Sequence, residues 1–259
     1  MQVIDRPYIL DRFSPSMINS YLDCPLSFYY QYIAKIKLPR KPQLVLGSAV
    51  HAGIENSFTG SIDPFKAFEQ EYDKDSSEFS KEDNEEQKRI GRVLLQNFLH
   101  VKPEFDLTYN LSAGESEKRV LKKLENPVTG EVMEIPMSGI IDRLTNDDVI
   151  FEFKTASKKW DKDAANFRAQ TLLYNLWFYS EKKRLPKETV YIIMLKNGKV
   201  GSEGIQILKS NHDIGDLACA FEEVEIILQK IKHGMFEKPA GWHPPWCDCK
   251  KYQELLDVN

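Results

Sequence analysis

Through the first third of the chain, apolar residues recur every three or four positions, the spacing of one face of a helix. Met17, Ile18, Tyr21 and Leu22 make one such face. Ser14-Pro15-Ser16 reads as its start, because serine caps free amides and proline suits a first turn. Cys24-Pro25 opens a second helix that carries Phe28, Tyr29, Tyr32 and Ile33. Further helices are expected over 44–58, 64–72 and 81–101, the last with Ile90, Val93, Leu94 and Phe98 in phase.

Past Pro103 the pattern changes. Strands are expected over 115–124, 131–144 and 149–155, separated by turn chemistry at Asn126-Pro127-Val128-Thr129-Gly130 and Thr145-Asn146-Asp147-Asp148. A helix over 161–183 presents Leu172, Leu173, Leu176 and Trp177. The β-branched run 189–195 is a strand, and Asn197-Gly198 signals a hairpin into 200–208. A last helix spans 212–231, and the tail from Gly234 reads as irregular and proline-rich. This order predicts a mixed α/β fold, with helices on a central sheet. No linker interrupts it, so 1–259 is taken as one domain: a mainly helical subregion 1–103, a core 104–233 and a tail 234–259.

Composition narrows this little. The 259 residues are 42% hydrophobic and 29% charged, which suits an ordinary folded chain. No apolar run approaches the roughly 20 residues that span a bilayer. The first residues lack a basic start followed by an apolar stretch, so no secretory signal is expected. A soluble cytoplasmic protein without a membrane partner follows as the expectation. A net charge of -4 does not decide for or against a polyanion, because local basic surface matters more than the total. Basic clusters at Lys35, Lys37, Arg40 and Lys41, at Lys118, Arg119, Lys122 and Lys123, and at Lys158 and Lys159 are either solvated faces or phosphate contacts. The four cysteines do not suggest a disulfide framework.

The stretch with chemistry is Gly139-Ile140-Ile141-Asp142-Arg143, followed by Ile150-Phe151-Glu152-Phe153-Lys154. Two strands joined by a short turn bring Asp142 near Glu152. Alternation places Ile150, Glu152 and Lys154 on one face and Phe151 and Phe153 on the other. Carboxylates beside bulky apolar residues are costly to bury without a partner. Mg²⁺ or Mn²⁺ suits such oxygen donors and can acidify a water for phosphodiester hydrolysis. Lys154 would hold that water or offset developing charge.

Further motifs accompany this pair. Residues 16–28, Leu46-Gly47-Ser48-Ala49-Val50-His51 and Gln170-Thr171-Leu172-Leu173-Tyr174 flank it in order. Together these segments resemble the RecB-like branch of the PD-(D/E)XK nuclease superfamily, over most of the chain. The resemblance implies a restriction-endonuclease-like core and a metal-dependent DNA nuclease. It would be an exonuclease or flap-type enzyme of recombination, repair or DNA-end processing, with any helicase or recombination protein a separate partner. Asp142, Glu152, Lys154, Gln170 and Tyr174 become its catalytic set. His51, Asp142, Glu152 and Phe153 become the metal site, and Glu117 or Glu115 an additional acid. The rival reading is a non-catalytic DNA-binding or scaffold module, although such relatives usually lose a carboxylate or the lysine. An RNA-directed nuclease is also open.

The resemblance also implies an iron–sulfur cluster at Cys24, Cys247 and Cys249, but its fourth cysteine is missing here. His243 is a speculative substitute. Cys219 reads as core. The chain ends are expected to meet around these thiols, fastened by packing of Trp242, Pro244, Pro245 and Trp246, or by a cluster with a non-cysteine ligand.

Overall fold

The protein is described here by a computed structural model covering residues 7–237 and 247–257. Trp242, His243, Pro244, Pro245 and Trp246 lie outside the described residues.

Helix α1 (Pro15–Asp23) begins where Ser14 accepts the Met17 amide at 3.2 Å, and it buries Ile18 and Tyr21. Cys24 caps α2 (Pro25–Phe28), which continues as a π-helical turn over Tyr29–Ile33. Helices α3 (Pro42–Thr59), α4 (Pro64–Asp75) and α5 (Lys81–Tyr109) complete the N-terminal helices. The sheet contains β1 (Gly114–Lys122), β2 (Met137–Thr145), β3 (Val149–Ala156), β4 (Glu188–Leu195) and β5 (Ile205–Ser210), in the spatial order of the chain. Neighbours are antiparallel except β3 and β4, which are parallel. A parallel pair needs a crossover, and α6 (Ala169–Lys182) supplies it. Helices α7 (Ile214–Lys232) and α8 (Cys249–Asp257) follow.

Alternation along the strands makes two large cores and a smaller cluster of Ala165, Tyr191, Ile193, Leu195 and Leu208. Ile141 and Ile150 pack with α1, α6 and α7 on one face. Phe151, Phe153, Val190, Ile192 and Met194 pack with α3 and α5 on the other. The sheet is therefore covered by helices on both sides, as expected for a mixed α/β fold. Among the described residues, no helix is long and apolar enough to cross a membrane.

Several local expectations are corrected. Helix α5 does not stop at Pro103 but runs to Tyr109. Leu94, Phe98, Val101 and Phe105 stay in phase against the sheet, which outweighs the roughly 3 kcal/mol that an internal proline costs. The helix ends instead at Asn110, with φ 52°, a left-handed cap. Strand β2 starts only at Met137, because Pro136 has no amide for a ladder. The segment 161–168 is not helical: Gln206 accepts the Trp160 amide and Asn166 accepts the Asn211 amide, which hold this stretch crosswise. A 3-10 turn, Gly201–Gly204, delays β5, because Asn97 of α5 donates to Lys199 O and accepts from the Gly201 amide. The tail contains α8 and is not wholly irregular. Leu22 and Cys219 are exposed, Cys219 on the outer side of α7.

Candidate active site

Asp142 and Glu152 meet where β2 and β3 part. Pairing runs through Leu144↔Ile150 and Arg143↔Phe151 and then stops. Beyond that point the Asp142 carboxylate replaces a main-chain partner, its Oδ2 accepting the Phe153 amide at 2.7 Å. Phe153 itself is buried in the apolar face. It can therefore reach a cation only through its main-chain carbonyl.

Glu152 is fully buried. Its Oε2 accepts Lys154 Nζ at 3.0 Å and Gln170 Nε2 at 2.8 Å. Among the described residues its Oε1 has no hydrogen-bond partner. A buried carboxylate oxygen without a donor is unusual enough to call for a ligand. On the opposite side of Asp142, His51 of α3 approaches with Nδ1 at 3.4 Å from Oδ1.

The third member of this group is Glu117. It stands across from Asp142 in the β1–β2 ladder, between the pairs Ser116↔Arg143 and Lys118↔Ile141. Its φ is 47°, a left-handed conformation that costs a non-glycine residue about 1–3 kcal/mol. One ligand atom each from His51, Glu117 and Asp142 lies within 4.8 Å of the others. Two carboxylates and an imidazole could hold a Mg²⁺- or Mn²⁺-like ion. Glu115 instead pairs with Lys118 at 2.6 Å. Sequence left the two glutamates open; the opposition to Asp142, visible only in the ladder, separates them.

Electrostatics divides the carboxylates. Burial pushes Asp142 up, but His51 and Lys154 more than offset this, so its carboxyl is lowered to about 2. Burial and then the Asp142 charge push Glu152 well above the carboxylate range. Burial and Asp142 also raise Glu117. Burial lowers His51, yet Asp142 leaves it raised overall. Lys154 is raised by Glu152 and Asp142 against its own burial. The site thus concentrates negative charge in a poorly hydrated place, where a cation would relieve it.

His51, Glu117, Asp142 and Lys154 open onto a cleft of about 870 Å³. Glu55 and Lys196 also line it. Lys196 was missed from sequence; it follows β4 directly, beside Ala156 at the end of β3. Gln170 donates to Glu152, not to Lys154, and Tyr174 donates to Ile140 O at 2.7 Å. Several side chains of the basic clusters are paired with carboxylates: Lys41 with Asp248, Lys118 with Glu115 and Lys122 with Glu181.

Cys24 and the two tail thiols come together. The sulfurs of Cys24, Cys247 and Cys249 lie within 4.8 Å of one another. Burial, then Cys247 and Cys24, push Cys249 up to about 12.

The family described as the PD-(D/E)XK nuclease superfamily matches residues 12–252, nearly the whole chain. The chain belongs to this superfamily. Its fold is similar to a solved structure from Eubacterium rectale described as a "Putative exonuclease", with TM-score 0.57, 15% identity, and 96% of this chain and 93% of that one covered. At that identity the likeness shows the restriction-endonuclease-like fold alone. A second solved structure, SSO0001, aligns at TM-score 0.34 and 14% identity, covering 86% of this chain and 91% of that one; it carries no argument. Among curated proteins none matches. Asp142 and Glu152-Phe153-Lys154 have the residue types spelled in the superfamily's name, with Ile141 where the name has P.

Proposed function

We propose that this chain is a divalent-metal-dependent deoxyribonuclease of the RecB-like branch, acting as an exonuclease or flap-type nuclease on DNA ends in recombination or repair. The observation that carries the reading is the convergence of His51, Glu117 and Asp142 within 4.8 Å, beside the unpartnered Oε1 of buried Glu152.

In this reading His51, Glu117, Asp142 and Glu152 hold the cation, with the Phe153 carbonyl adjoining. A divalent ion so held polarises a phosphate and acidifies a water. Lys154 contributes positive charge at the cleft and cannot itself ligate while protonated. It orients the attacking water or meets charge that develops on the phosphate. Gln170 fixes the Glu152 carboxylate, so that Oε1 faces the site in one orientation. The imidazole donor makes Mn²⁺ at least as good as Mg²⁺, since nitrogen is softer than oxygen. All three residues of the Asp142, Glu152 and Lys154 set are present, which favours an enzyme over a scaffold.

The test is end-labelled single- and double-stranded DNA, incubated with purified protein and Mg²⁺ or Mn²⁺. Metal-dependent cleavage that disappears in Asp142→Ala is expected. No cleavage of either substrate with either ion, or equal cleavage by Asp142→Ala, would sink the reading.

A further inference from the structure

We propose that Cys24, Cys247 and Cys249 hold one thiophilic metal ion of the Zn²⁺ type through three thiolates, in place of the four-cysteine iron–sulfur cluster that the resemblance implies. This inference does not depend on the nuclease reading.

The geometry comes first. Three sulfurs from opposite ends of the chain lie within 4.8 Å of one another. A tetrahedral Zn²⁺ with Zn–S bonds of about 2.3 Å holds its thiolates about 3.8 Å apart. A cubane cluster places each thiolate on a different iron, which spreads the sulfurs more widely, and it takes four of them. The remaining cysteine, Cys219, is exposed on α7 and takes no part in this group. The donor set therefore suits a single ion better than a cluster.

Burial and mutual repulsion hold Cys24 and Cys249 as thiols without a metal, a cost that a bound cation would offset, and the backbone supplies two donors to the sulfurs of this group. The Ser27 amide donates to Cys24 Sγ, and the Cys249 amide donates to Cys247 Sγ, each at 3.4 Å. N–H donors to sulfur stabilise negative charge there and orient the ligand. Three thiolates around a divalent ion leave one net negative charge. The ammonium groups of Lys41 and Lys251 stand close by, held on Asp248 at 2.8 Å and 3.2 Å. On binding, the three thiols give up three protons to solvent, and the fourth position passes to a non-cysteine donor.

The ion would join α8 to α2. Among the described residues, the contacts that join these regions include the Tyr30 and Tyr252 rings at 5.5 Å and the Lys41–Asp248 pair. Lys41 immediately precedes α3, the helix that carries His51. The thiol site would thus fix the approach of one metal donor to the cleft without touching substrate.

The experiment is anaerobic purification, elemental analysis and titration of the metal-free chain with Co²⁺, read by sulfur-to-cobalt absorption and proton release. One equivalent of Zn²⁺ or Co²⁺ per chain and about three released protons are expected. Cys24→Ser and Cys247→Ser should each abolish retention, and Cys219→Ser should leave it unchanged. Either of two wild-type results overturns the proposal: about four irons with acid-labile sulfide, or no retained metal and three thiols that all react with a disulfide reagent. Both are read on unmodified protein, so a misfolded variant cannot hide them.

Discussion

His51, Glu117 and Asp142 come from an N-terminal helix and two central strands, whereas Cys24, Cys247 and Cys249 come from near the two ends of the chain. The first group offers oxygen and imidazole donors at an open cleft. The second offers sulfur, mostly buried, between a four-residue helix and α8. The difference lies in what holds each group in place. Sheet register and apolar packing fix the carboxylates whether or not a cation is bound, so on the proposed reading a metal there would serve chemistry. The thiols sit beside a four-residue helix, so the metal proposed there would serve structure. Loss of a carboxylate should therefore cost activity, and loss of a thiol should cost order.

The widest separation is expected with Asp142→Ala. Cleavage should fall by at least about 1,000-fold, the scale on which one charge-stabilising group is worth most. Circular dichroism should stay native, because the apolar faces of the sheet hold β2 and β3. The lost His51 and Phe153 contacts are partly offset by relief of the repulsion on Glu152. Metal retained by the cysteines should be unaffected. Wild-type cleavage in this variant would break the comparison at its strong end. Lys154→Ala comes next, with a loss of about 100-fold and Mn²⁺ affinity retained by calorimetry. Affinity lost together with activity would make Lys154 a structural partner of Glu152 and not a group for the transition state.

Smaller effects sharpen the electrostatics. Mn²⁺ at about 100 times its dissociation constant should stabilise the fold by about 2.7 kcal/mol, a rise of roughly 5–10 °C in melting temperature for a chain of this size. His51→Ala should reduce that shift, and an unchanged shift would remove His51 from the site. In the metal-free protein the sign for Glu152 runs the other way from an ordinary ion-paired carboxylate. Its folded pKa is raised by burial and Asp142. Its contribution is fully present below the ordinary carboxylate range and is lost as pH rises through the raised value. Glu152→Gln should therefore raise the metal-free melting temperature near about pH 8 more than near about pH 4. Equal shifts at both would show that Glu152 is not strained by its charge.

The parts of the site that were legible from sequence are those fixed by short-range rules. Strand alternation alone separates Glu152 and Lys154 from Phe151 and Phe153, and the structure keeps that division. Ser14-Pro15 and Cys24-Pro25 mark helix starts by local chemistry, and both hold. What was not legible depends on contacts distant in sequence. Pro103 is carried inside α5 by the sheet beneath it, and no local preference reveals that. The choice of Glu117 needs the β1–β2 register, and its left-handed φ contradicts strand propensity. Asn97 was invisible because its partners, Lys199 and Gly201, lie about a hundred residues away. Cys219 was misjudged because an amphipathic helix has a boundary, and one residue decides the side.

The smallest effect belongs to Tyr174, and it tests whether the catalytic set is as wide as the motif suggests. Its hydroxyl donates to Ile140 O at 2.7 Å, two residues before Asp142. Its ring sits so near Gly139 that an added Cβ would approach Cε1 to 2.8 Å. Burial, then Glu152, raise its pKa, so the phenol stays protonated and remains a donor. These contacts suit a strut that holds β2 against α6, and the role in the catalytic set is what substitution tests. Tyr174→Phe keeps the ring and deletes one hydrogen bond, worth about 1 kcal/mol. The expected result is a slightly lower melting temperature and a cleavage rate within about tenfold of wild type, as small losses of alignment produce. Gly139→Ala should do more harm, because it displaces the whole ring at about 1–3 kcal/mol for an overpacked contact. A loss in Tyr174→Phe as deep as that in Asp142→Ala, with stability unchanged, would assign the hydroxyl to the reaction itself. The opposite order, Gly139→Ala worse than Tyr174→Phe in both stability and rate, identifies α6 as the buttress that keeps β2 in register and Asp142 in place.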